Sequence, residues 1–388
     1  MPITTKDIQR IAGFELNALR AAEVLGEEFE KVRISRTGTP IYDLNGAMLF
    51  QRLPLTRGRT GSGYADIAVH EAMGEPLLAA STGRAWDEKA LLEEGAAMAR
   101  KGRRGLKYDS VRFVAYSFPK IAIQFLSEGT ETLMLELYTW DEVPPASYRD
   151  RKPLEPGNFE RWSLLDEMPA RMRRSRERNF EKRLALWDVP VLRRIDPRVI
   201  TRDRLRVRDF ALQLFDTREL HYSTRDSDHH PCYELRGQQT NVWCVAASVE
   251  MVFNFYRYTY DQVRLAQELG LGTLNNPNGL PYARVGDVVT VMENLTSNAL
   301  DVTMHTNPAW NIFRNEIRAN RPLISFVPGH SRTVAGYTRS MIVLVNQIGF
   351  HGLLVYDPWP PNAGVITRWE NFATQIYQFA YSSVLVHI

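Results

Sequence analysis

Cysteine is nearly missing from this 388-residue chain: there are two, Cys232 and Cys244. Two cysteines cannot build a disulfide framework, which suits a reducing compartment. No run of about eighteen apolar residues is present, so no transmembrane helix is expected. The opening residues, Met1-Pro2-Ile3-Thr4-Thr5-Lys6-Asp7, lack the apolar centre of a secretory signal. A cytoplasmic location is the expectation, with signal-independent export as the alternative. Neither sign of charge dominates. The net charge of +3 gives no global case for nucleic acid or membrane as partners. Lysine disappears after Lys182, every later basic residue being arginine, which marks a change in composition between two regions.

Several motifs are also missing. Thr56 to Tyr64 holds three glycines and two arginines but lacks the Gly-Lys-Ser/Thr ending of a phosphate loop, so it reads as a flexible surface loop. His70-Glu71 has no second histidine at helical spacing, which excludes the zinc-protease motif. His229-His230-Pro231-Cys232 has no second ligand set and reads as a loop. No metal and no cofactor is expected.

What remains is an ordinary globular composition, 44% hydrophobic and 24% charged. Apolar residues at helical spacing predict a helix over 6–31, with a break at Gly26. A weak strand is expected over 40–55. Asp87 to Lys101 has acidic residues at its start and basic ones at its end, as a helix dipole prefers. Ser110–Ser117, Pro119–Leu126 and Thr132–Thr139 read as an antiparallel meander. Residues 1–141 are therefore expected to form an α+β domain of unknown role. Pro144, Pro145, Pro153 and Pro156 mark the boundary. Residues 142–235 read as a Pro-rich linker followed by a basic helical arm. The basic run 171–183 could take an acidic partner, but a solvated helix face with internal ion pairs is the preferred reading.

The richest stretch is Gly237-Gln238-Gln239-Thr240-Asn241-Val242-Trp243-Cys244. A polar loop ends on a cysteine, and Val245, Val249, Val252, Phe253 and Tyr256 then follow at helical spacing. Cys244 should sit at a helix N-terminus, where the dipole and free N–H groups favour a thiolate. Gln238, six residues earlier, can donate to an oxyanion. Further helices are expected at Asp261–Leu269, 283–294 and 309–319. Strands follow at Pro322–Val327, Ser331–Tyr337, Met341–Val345 and Gly352–Tyr356. Helices first and antiparallel strands second make an α+β layout. A nucleophilic cysteine needs a base and a group that orients it. His330 follows the Pro328-Gly329 turn and begins a strand, so it is the candidate base, with His351 as its rival. Asp357 ends a strand before Pro358 and is the candidate orienter.

The blocks Gln238-x5-Cys244, Asn320-Arg321-Pro322-Leu323-Ile324, Gly329-His330 through Gly336-Tyr337, and Val355-Tyr356-Asp357-Pro358-Trp359 resemble papain-fold cysteine peptidases. The likeness is to the bacterial branch of double-glycine leader peptidases and AvrRpt2-type effectors. It covers about residues 236–388. The resemblance implies a peptidase domain there, with a peptide or protein as substrate. Cys244 would be the nucleophile, His330 the base, Asp357 the orienter and Gln238 an oxyanion donor. Two features depart from the pattern. Trp243 precedes the cysteine and Val245 follows it, where relatives carry an aromatic residue or glycine after it. The His330–Asp357 interval is also long, and a hairpin around Asn346–Gly349 would account for that. The same side chains would serve an acyltransferase, isopeptidase or amidase, and a silent binding module of this fold is the non-enzymatic alternative. Residues 1–235 would recognise substrate, cover the cleft as an inhibitory segment or bind a partner. Cys232 is expected to be structural.

Overall fold

The structure, a computed structural model, describes residues 5–58, 60–82, 85–103, 105–144, 152–185, 198–201, 215–220, 233–340 and 349–386. Helix α1 (Thr5–Ala21) buries Ile8, Ile11, Ala12, Leu16 and Leu19. It stops well short of residue 31. Glu23 takes a left-handed φ of 59°, and the N–H groups of Glu23 and Val24 return to Arg20 O and Leu19 O. That double bond is the usual way to close a helix C-terminus. Strands β1 (Arg33–Ile34), β2 (Thr39–Tyr42), β3 (Met48–Arg57), β4 (Thr60–Ala68) and β5 (Leu77–Thr82) follow. The Gly-rich stretch is not a loop. It runs from the end of β3 through β4, with Arg57 opposite Thr60 and Leu55 opposite Gly63. Composition suggested flexibility there, but cross-strand pairing overrides it.

Helix α2 (Glu88–Gly102) starts where Asp87 accepts from Ala90 N at 3.1 Å, a cap worth about 1 kcal/mol. The meander is β6 (Ser110–Ser117), β7 (Lys120–Ser127) and β8 (Thr130–Glu136), all antiparallel. Helices α3 (Leu164–Glu167) and α4 (Ala170–Ala185) come next. On α4 the basic run is only partly a solvated face. Arg173 pairs with Glu177 on the surface, at 3.0 Å. Arg176, Phe180 and Arg183 lie on one helical face and are buried. There Arg183 meets Glu75 at 2.8 Å and Glu15 at 3.2 Å, while Arg176 donates to Gln375 O.

After β9 (Phe215–Glu219) the second half contains α5 (Cys244–Phe255), α6 (Gln262–Glu268), the short pair β10 (Gly272–Thr273) and β11 (Asn276–Pro277), and α7 (Asp287–Leu295). It continues with β12 (Leu300–Thr306), α8 (Trp310–Arg318), β13 (Leu323–Val327), β14 (His330–Ser340), β15 (His351–Asp357), β16 (Val365–Asn371) and β17 (Phe379–Leu385). The fold is α+β, as expected. Strands β12, β16 and β17 were not anticipated. The predicted strand 341–345, the Cys232 cluster and all but Gly349 of the expected hairpin lie outside the described residues.

One sheet runs β12-β17-β13-β14-β15-β16-β5-β4-β3-β2-β6-β7-β8. Its two halves join where Trp369 and Glu370 of β16 face Ala80 and Ala79 of β5. Strand β14, at 11 residues, forms the spine of the second half. It is flanked by β13 and β9 on one side and β15 on the other. Helix α5 lies on it. Ser331 Oγ donates to Ser248 Oγ at 3.0 Å, and Thr333 Oγ1 to Met251 Sδ at 3.7 Å. Cys244, Ser248 and Met251 therefore share the helix face turned to the strand.

Candidate active site

Cys244 is the first residue of α5. Trp243, which looked out of pattern, fixes that helix start. Its indole is fully buried, and Nε1 donates to Leu271 O at 3.0 Å. Gln238 is held from a different direction. Its N–H donates to Pro358 O and its carbonyl accepts from Asn362 N, at 2.9 and 2.8 Å. Gly237 allows this close approach, because a Cβ there would lie 2.4 Å from Ala363 N. The Gln238 amide donates one hydrogen to Thr240 O at 2.6 Å.

His330 begins β14 directly after Gly329, whose φ of 68° is the left-handed conformation that tight turns reserve for glycine. Asp357 ends β15. Pairing of β14 with β15 brings their side chains together, and His330 Nε2 bonds Asp357 Oδ1 at 2.6 Å. The same oxygen accepts from Trp359 N at 2.8 Å. His330 Nδ1 has no hydrogen-bond partner. The rival, His351, lies at the opposite end of β15 from Asp357, exposed and stacked on Trp310 at 4.7 Å.

All four candidates are buried: Gln238 is 0% exposed, Cys244 1%, His330 3% and Asp357 8%. Burial sets the electrostatics. It pushes the Cys244 thiol pKa up, against the lowering effect of the Lys120 charge and of the Ser331 and Val245 main-chain N–H groups. The helix-start location thus does not by itself yield a thiolate at rest. Burial pushes His330 down to about 4, although Asp357 pulls the other way. Burial also works to raise Asp357, but the His330 charge and hydrogen bond, together with Arg332, leave it below the ordinary carboxylate value. The resting site therefore contains a neutral imidazole held by a carboxylate. Beside it, Arg332 makes a buried two-bond pair with Glu370, at 2.5 and 3.0 Å, and Glu370 also accepts from Tyr377 Oη at 2.7 Å.

Residues 232–383 match the model of the Peptidase_C39 like family. These residues carry a papain-like cysteine peptidase fold. Over that region, less than half of the chain, the protein is similar to cysteine peptidases. No curated protein matches the chain. Among solved structures, a double glycine motif protease from an AMS/PCAT transporter, in complex with the leader peptide, is 13% identical with a TM-score of 0.28, over 43% of this chain and 100% of that one. UfSP from C. elegans is 14% identical with a TM-score of 0.28, over 43% of this chain and 34% of its own length.

The candidate site has neighbours that no motif announced. The turn between β6 and β7 brings Lys120 into it. Lys120 is 3% exposed, and Nζ donates to Asn158 O at 2.5 Å and to Gly329 O at 3.4 Å. Its ammonium also lies 4.9 Å from the Trp359 ring centroid. Asn158 Nδ2 donates to Val242 O at 2.9 Å, and Phe159 packs on Trp359. Trp162 anchors this segment on the first half, through its N–H to Tyr116 O and Nε1 to Ser117 Oγ. Residues before the peptidase region thus touch carbonyls on both the cysteine and the histidine side of the site. Nothing in the sequence near Phe118-Pro119-Lys120 signals this, because the contact joins residues about two hundred positions apart. A cavity of about 80 Å³ remains beside Lys120, Asp357 and Trp359.

Proposed function

We propose that the peptidase cleaves peptide bonds through a Cys244-His330-Asp357 triad and an acyl-enzyme. The observation that carries this is the histidine's two-sided environment. Nε2 is committed to Asp357 at 2.6 Å, and Nδ1 is free. Meanwhile the Cys244 sulfur lies against the N–H of Ser331, the residue next to His330. In this reading Nδ1 takes the thiol proton as Cys244 Sγ attacks the substrate carbonyl. The proton then passes to the leaving amine, the C–N bond breaks, and the acyl group stays on sulfur. Water, deprotonated by the same nitrogen, releases the acid and restores the thiol. The Asp357 carboxylate fixes the ring and favours the imidazolium that forms in between. The second Gln238 amide hydrogen and the main-chain N–H of Cys244 are the candidate oxyanion donors.

Since all four groups are buried, a polypeptide reaches Cys244 only when residues packed over the site move aside, and the segment around Asn158, which bonds Val242 O, is the candidate. The substrate class is a peptide or protein. The test is hydrolysis of labelled casein and of peptide libraries by the full chain. Cys244→Ala is expected to abolish cleavage while circular dichroism and Tm stay as in the parent. Retained cleavage would overturn the triad. Product analysis with an added amine separates hydrolysis from acyl transfer.

A further inference from the structure

We propose that Lys120, delivered by the turn between β6 and β7, is a positioning residue of the peptidase site whose buried ammonium stabilises the Cys244 thiolate. This rests on the triad reading and adds a group from outside the matched family region. The geometry favours an ammonium at this point. Two carbonyl oxygens, Asn158 O at 2.5 Å and Gly329 O at 3.4 Å, accept from Nζ, and the Trp359 ring face lies 4.9 Å away. Carbonyl oxygens and an aromatic face all attract positive charge. None of the three neutralises it with a full counter-charge.

The groups facing this point can be named element by element. Glu136, at the end of β8, bonds Trp359 Nε1 at 3.0 Å. Asp357, at the end of β15, is already committed to His330 and Trp359 N. Arg332 on β14 is neutralised by Glu370 on β16. His330 is held neutral by its burial, so it offers the sulfur no positive charge at rest. Lys120 acts on Cys244 more strongly than any influence other than burial itself, and acts to lower its pKa. Reciprocally, Cys244 is foremost among the groups that favour the Lys120 ammonium against burial. A fixed cation beside a buried sulfur offsets the desolvation that otherwise keeps the thiol protonated. Lys120 stands on the sheet, not on the segment around Asn158. It therefore keeps Gly329 O and the Trp359 face when that segment moves.

The alternative is that Lys120 merely plugs the site, and the two roles predict opposite signs. The experiment is site-resolved mass spectrometry of iodoacetamide alkylation at Cys244, across pH, in the full chain. Access scales the rate at every pH, whereas thiolate stabilisation moves the midpoint. Lys120→Gln keeps a hydrogen-bond donor and removes the charge, and Lys120→Met removes both. Each is expected to move the midpoint up by about one pH unit, a roughly tenfold slower reaction below it. Lys120→Arg is expected to stay near the parent. An unmoved midpoint in Lys120→Gln, a faster reaction at all pH, or an Arg variant that behaves like the Gln variant would each overturn the proposal. His330→Ala separates the two layers. If peptide cleavage persists in it, the triad fails and Lys120 fails with it. If cleavage is lost while Lys120→Gln leaves the midpoint unmoved, the triad stands and only Lys120 fails.

Discussion

At the residue scale, burial is the dominant force on the site. It raises the thiol pKa, lowers the imidazole pKa and makes every charged neighbour count for more. One consequence is a pH dependence of stability. The folded pKa of His330, about 4, lies below its unfolded value of 6.5, so the unfolded chain binds the proton more tightly. The His330 contribution is complete above about 6.5 and is lost as pH falls toward 4, by on the order of a few kcal/mol. Denaturant titrations at pH 7 and pH 4.5 should show this loss in the parent and a smaller one in His330→Gln. The Arg332–Glu370 pair is the second case. Both side chains are buried and joined by two hydrogen bonds. Glu370→Gln leaves a guanidinium without its charge partner, and a loss of about 3–5 kcal/mol is expected by chemical denaturation.

At the scale of elements, the site is made where strands and helices begin or end. Cys244 opens α5, His330 opens β14 and Asp357 closes β15. Gly329 sets the direction of β14 with its left-handed φ, and a Cβ there would lie 3.0 Å from Gly157 O. Gly329→Ala should therefore cost about 1–2 kcal/mol from backbone strain alone. It should also reduce peptidase activity by more than the drop in Tm accounts for, because it displaces the histidine. Matched measurements of Tm and kcat/KM would check this. Trp243 belongs at this scale too. Its indole ties the start of α5 to Leu271 O, so the residue that fits the family pattern poorly serves as the helix anchor.

At the scale of the whole molecule, the first half of the chain is part of the site's surroundings. Asn158 bonds Val242 O, Phe159 packs on Trp359, and Lys120 bonds Gly329 O, three partners within the matched region. Phe159→Ala and Asn158→Ala should loosen that segment. Cys244 alkylation is then expected to speed up several-fold at every pH with an unchanged midpoint, the opposite signature from Lys120→Gln. Unchanged alkylation rates would mean that this segment does not limit access.

The sequence carried the local part of this protein. Capping residues, the meander, the cysteine at a helix start, and the order Gln238, Cys244, His330, Asp357 all depend on near neighbours or on short motifs, and these can be read directly from a chain. Most helices and many strands could be read in the same way. The α1 C-terminus escaped because a left-handed Glu23 ended the helix where apolar periodicity continued. The hairpin at Gly61 and Gly63 escaped because its pairing, not its composition, makes it a strand. The tertiary structure decided the rest. It joined His330 to Asp357, buried the thiol against its dipole advantage, turned Arg176 and Arg183 inward, and set Lys120 against Gly329 O and the Trp359 ring. Each of these depends on charges and dehydration between residues far apart in sequence, and desolvation exists only once the chain has packed.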